Sequence, residues 1–132
     1  MADQTHLDSL VSQYNAARED HKRIEAEMDR IGKEWVKDAC PYQSGSFYQA
    51  PDDQKAIRFY LSPLVRGKVV RVVSVSHHEA WNPKGGPVKL EWSIRVRRIL
   101  KSGKMGQSVQ SLDANSFVDG FVMEKVEVGD AA

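Results

Sequence analysis

The chain has 132 residues, a net charge of +1 and one cysteine, with 41% hydrophobic and 28% charged side chains. A chain of this length buries a core without disulfides or structural metal, and the lone Cys40 excludes an intramolecular bridge, so the fold is independent of an oxidising compartment. No basic-plus-apolar leader and no apolar run of bilayer length is visible, so the expected location is cytoplasmic.

The near-neutral total hides a partition. Residues 1–65 carry 8 basic and 11 acidic side chains, residues 66–104 carry 10 and 2, and residues 105–132 carry 1 and 5. An acidic first half, a basic middle and an acidic tail result. Such asymmetry implies an electrostatic binding face, or segments that neutralise one another within the fold.

Residues 1–40 read as one long amphipathic helix. Thr5-His6-Leu7-Asp8 fits a capping box. Leu7, Leu10, Tyr14, Ala17, His21, Ile24, Met28, Ile31 and Trp35 recur at alternating steps of three and four over four heptads, the spacing of a coiled-coil seam. Cys40-Pro41 ends it, because proline disfavours helix in the residue before it. A helix from Thr5 to Asp38 is about 50 Å long, while the remaining chain makes a body only about 30 Å across.

The body cannot cover the whole stripe, so a second copy is the simplest cover. Leu7, Leu10, Tyr14, Ile24, Met28, Ile31 and Trp35 are then the dimerisation residues. Ala17 and His21 weaken the middle of this seam. A parallel pair sets Asp20 against Glu25, and an antiparallel one lines Asp20, Glu27 and Glu34 along one flank. The alternative is a helix that bends near Gly32 and packs along its own sheet.

Residues 41–65 read as an aromatic connecting segment. Tyr42 to Ser46 is turn-rich, Pro51-Asp52-Asp53-Gln54 suits one helical turn, and Ser62-Pro63 is a break. Phe47, Tyr48, Phe59 and Tyr60 are expected to anchor the segment in the core rather than to stack on a ligand.

Residues 66–132 read as a β-rich basic domain with an acidic tail. Lys68 to Ser76 is a valine-rich strand, and 77–87 is a loop by its proline and glycine content. Val88 to Leu100 alternates: Val88, Leu90, Trp92, Ile94, Val96 and Leu100 face one way, Lys89, Glu91, Ser93, Arg95, Arg97 and Lys101 the other, with Arg98 and Ile99 out of phase. Lys101 to Lys104 is a hairpin turn returning through Leu112. A last strand or short helix spans Phe117 to Val128, and Gly129 to Ala132 is a tail. The expected class is α+β: a long heptad-patterned helix, then a small antiparallel sheet, open or curled into an SH3-like or OB-like barrel.

Little here suits catalysis, metal or cofactor binding. Cys40 at a helix end lacks an identifiable base and orienting residue. His77 and His78 are adjacent, and neighbours in a strand point to opposite faces, so they do not chelate together. Gly85-Gly86, set between prolines, is not a phosphate loop. No enzyme, metal or cofactor is expected.

The basic strand carries more. Lys89, Arg95, Arg97 and Lys101 form a stripe that Arg71, Lys68, Lys84 and Lys104 extend, with Trp81 available for stacking. Its partner is an acidic protein surface, nucleic acid, or the acidic helix itself. The expected function is a non-enzymatic, dimeric protein-interaction module that acts by occupying or assembling a partner surface; the alternative is nucleic-acid binding through the basic β face of residues 66–104. In general form, with no shared motif, the chain resembles phage and mobile-element proteins that occupy the surface of a host complex, anti-CRISPR proteins among them. That resemblance implies action by steric occlusion.

Overall fold

The computed structural model describes residues 3–58 and 61–128. Phe59, Tyr60 and the tail 129–132 lie outside the described residues. Helix α1 runs Gln4–Ala39; strands β1 to β5 are Phe47–Gln49, Val69–Glu79, Leu90–Arg98, Gln110–Asp113 and Glu124–Val126, with a 3-10 turn at Ala114–Ser116. The strands form one antiparallel sheet in the order β4-β3-β2-β1-β5. The class is α+β. β4 and β5 remain free edges, so the sheet is open and the barrel is not formed.

The hairpin of β2 and β3 is the frame. Its register runs from Val70 opposite Arg98 to Glu79 opposite Leu90, with a shift between Val72 and Ser74. Val73 is the extra residue of a bulge, which reverses which residues face inward. Before it, Val70 and Val72 are fully buried; beyond it, Val75 lies opposite the buried Ile94 and His77 opposite Trp92. The residues carry the same slip: Val70-Arg71-Val72 alternates in one phase and Ser74-Val75-Ser76 in the other, with Val73 between them, a signal that reading the run only as valine-rich passes over. The strand also continues through His77 and His78, so the expected loop 77–87 starts later, at Ala80.

The connecting segment holds more structure than its composition implied. Phe47–Gln49 is an inner strand, paired with β2 on one side and β5 on the other. Tyr48 is buried, and its hydroxyl accepts from the Gln43 amide at 2.8 Å. Tyr42 packs edge-on against Tyr48 and Trp92, with centroids 4.9 and 5.4 Å apart. Its hydroxyl accepts from the Met123 amide at 2.9 Å, tying the exit of the helix to the last strand. These two tyrosines anchor the loop, as aromatic side chains with a satisfied polar tip do. The 117–128 segment is mostly irregular, with an isolated bridge from Phe117 to Ile57 before the three-residue β5.

Only the last turns of α1 join this body. Gly32 and Val36 are buried, Cys40 closes the helix through its amide to the Val36 carbonyl at 2.9 Å, and Trp35 packs half-buried against the core. Gly32 lies flat on the His77 imidazole; a Cβ there would stand 2.1 Å from Nε2. The helix does not stop to pack along the sheet at Gly32: it continues without interruption to Gln4. Its cap is Asp3, whose carboxylate accepts from the Thr5 amide at 3.3 Å. Asp8 accepts instead from the Gln4 side chain, so the expected Thr5–Asp8 box is not made.

Candidate interaction surfaces

Residues 3–31 of the helix are exposed all round. The seam residues Leu7, Leu10, Tyr14, Ile24, Met28 and Ile31 keep between 41% and 70% of their surface in solvent. Trp35 differs from this set in that its ring is half-buried and packs against the chain's own core.

What the free helix has locally is charge pairing along its polar faces. Arg23–Asp20 at 3.0 Å and Lys33–Asp29 at 2.9 Å are joined by Arg30, which bridges Glu27 and Glu34, while the seam residue His21 contacts Glu25 at 2.9 Å. The Arg30 hydrogen bond and charge lower the Glu27 pKa, and Glu27 raises that of Arg30 in return. Solvent screens such pairs, which contribute little individually. They support helical geometry one turn at a time, and they leave the apolar stripe uncovered.

The basic residues do not form one continuous stripe. Arg71 and Arg97 lie directly opposite each other on β2 and β3, and Arg95, opposite Ser74, is the next outward residue. With Ser44, Gly45 and Met105, Arg71 and Arg97 line a depression of about 180 Å³. Arg97 is held by its Nε donating to the Gly106 carbonyl at 2.6 Å, and Arg71 lies over the Phe47 ring, 6.0 Å from its centroid. Among the described residues, none of the three arginines has a carboxylate within 4.0 Å. Like charges placed opposite one another weaken a sheet; Arg71 and Arg97 are held in place and Arg95 is exposed, none of them with a carboxylate beside it.

Further along β3 the charge changes. Glu91 meets His78 at 3.1 Å and accepts from Asn115 at 3.3 Å, and Asp113 lies beside Ser93. Beyond that interruption is the β2–β3 tip with Trp81, Lys84 and Lys89. Eight residues separate Lys89 from Arg97, about 26 Å of strand. Trp81 is 88% exposed and borders a depression of about 260 Å³ with Asn82, Pro87 and Lys89. Lys101 and Lys104 sit at the β3–β4 turn, at the arginine end, where Leu100 donates to the Lys104 carbonyl at 2.8 Å.

Two neighbours of the arginine cluster were not foreseen. Arg98, out of phase in the alternation, lines a depression of about 300 Å³ with Lys68 and Lys101, and its Nε is buried without a hydrogen-bond partner. Ser44 reaches the cluster by donating to the Val73 carbonyl at 3.0 Å, across 29 positions of sequence. No local pattern signals such a contact.

Cys40 is buried, with its thiol pKa pushed up by burial against a smaller opposing effect of the Tyr42 amide. Alkylation of native Cys40 at pH 8 is expected to run at least about tenfold slower than in denaturant, since the thiolate is the reactive form; equal rates would show an open thiol. His77 and His78 lie on opposite faces, the first on Gly32, the second on Glu91. Among the described residues no three His, Cys, Asp or Glu side chains converge as a metal site, and no helix is long and apolar enough to cross a membrane.

The fold thus defines an α+β protein of one projecting helix and one small open sheet. No family, no curated protein and no solved structure matches the chain.

Proposed function

We propose that this chain is a non-enzymatic interaction protein that pairs with a second copy through residues 7–31 and presents Arg71, Arg95 and Arg97 to an acidic protein surface. The observation that carries the first half is the bare apolar seam. Helices in proteins draw most of their stability from burying such a face, and here the chain's own body reaches only the last turns. Supporting the second half are these arginines, whose planar forks suit carboxylates in two-pronged fashion.

A compact cluster also fits an acidic patch better than a nucleic-acid track, because Glu91 and Asp113 interrupt the path toward Lys89. The nucleic-acid reading keeps one specific support: Lys68, Arg98 and Lys101 carry positive charge around the end of the sheet.

A poly-glutamate peptide and a 20-nucleotide single strand, followed by fluorescence anisotropy at low salt, distinguish the two. The peptide should bind the wild type, and binding should weaken at least about tenfold in Arg95→Glu/Arg97→Glu, roughly 1.4 kcal/mol or more. Tighter binding of the oligonucleotide, lost in the same variant and steeply salt-dependent, selects nucleic acid instead. If neither probe binds in a reversal-sensitive way, the arginine face is not the working surface.

A further inference from the structure

We propose that the second copy lies antiparallel on the helix, with Leu7 opposite Ile31 of its partner and the two-fold axis passing between Ala17 and His21. This rests on the reading above that the helix pairs with itself, and it adds direction and register.

Two observations point the same way. First, the free seam has an end. Trp35 is half-buried against the core and Gly32 and Val36 are covered, so the stripe is open from Leu7 to Ile31 and then runs into the body. An antiparallel partner in this register begins at Gln4, opposite Glu34, where the body starts. A parallel partner continues past Ile31 alongside Trp35 and brings both bodies to the same end.

Second, the layers fill evenly. The antiparallel layers are Leu7 with Ile31, Leu10 with Met28, Tyr14 with Ile24, and Ala17 with His21. A parallel pair instead stacks Ala17 on Ala17, leaving space, and His21 on His21 and Tyr14 on Tyr14, crowding it. Gaps and overpacking both cost stability.

The flanks do not decide the direction: the parallel pair makes the Asp20–Glu25 contact twice, and the antiparallel pair replaces it with Asp20 on Asp20 and Arg18 on Arg18, once each, while Glu25, Glu27 and Glu34 come beside Val11, Gln13 and His6.

In this arrangement the Gly32 positions stand 26 residues apart along the rod, about 39 Å. The two arginine faces therefore sit at opposite ends, suited to two separate acidic patches rather than one.

Leu10→Cys and Met28→Cys, made separately, read the direction by disulfide formation in air; the buried native Cys40 serves as a silent control. Mixing the two variants should give a cross-disulfide between the thiols introduced at positions 10 and 28, while each variant alone remains monomer on a non-reducing gel. A homodisulfide of Leu10→Cys alone, with none in the mixture, means a parallel pair and overturns the proposal. If light scattering shows a dimer but no disulfide forms in any combination, the register is wrong. If it shows a monomer for wild type and variants alike, the pairing itself fails and the direction with it.

Discussion

Leu10→Asp combined with Ile24→Asp is expected to turn a dimer into a folded monomer. Each substitution places a carboxylate in an apolar layer, and a symmetric pair carries four of them. Unpaired charge in such a setting costs far more than the apolar contact it replaces. The dissociation constant should rise at least about a hundredfold, or 2.7 kcal/mol. Light scattering at tens of micromolar reads the mass. The near-ultraviolet spectrum of the sheet should stay unchanged, because both residues lie far from the core. A wild type already monomeric at that concentration would contradict the proposed role of the seam.

The second large effect is expected where helix and sheet meet. Gly32→Val drives a branched side chain into the His77 ring, whose nearest atoms lie 2.1 to 2.4 Å from the position a Cβ on residue 32 would take. Valine suits a helix better than glycine by a few tenths of a kcal/mol. Overpacking outweighs that, and a loss of about 2 kcal/mol is expected in urea unfolding. Adding His77→Ala removes the ring and should recover most of the loss, leaving a coupling energy of at least about 1 kcal/mol. Strict additivity of the two substitutions would show that Gly32 and His77 do not pack on each other.

That contact also sets where the seam ends. Because the helix docks by residues 32–40 alone, everything from Asp3 to Ile31 stays exposed. A helix docked along its full length would hide the stripe and remove the case for pairing. The compactness of the arginine cluster depends in the same way on tertiary features, namely the β2–β3 register and the Gly106 carbonyl that holds Arg97.

Much of this was legible in the residues. The three-four spacing from Leu7 to Trp35 is a local property of one helix, so it foretold both the rod and its apolar stripe. The alternation from Leu90 to Arg97 likewise assigned Ile94 and Val96 to the core and Arg95 to solvent. Periodicity works where one face is apolar and the other polar. It was silent at Phe47–Gln49, a three-residue strand too short to show a period, whereas the Val73 bulge is marked by the slip from Val70-Arg71-Val72 to Ser74-Val75-Ser76.

Neighbouring residues alone were enough to set the class of the protein, the long helix and the excess of positive charge on the middle segment. Packing at a distance settled the rest. It set Trp35 half-buried against the core, stood Arg71 opposite Arg97, and let Glu91 with His78 cut the basic strand in two. Those outcomes depend on which residues distant in the chain become neighbours in space. Strand register and the docking of a helix are set by the packing of the whole core, which no single window of residues contains.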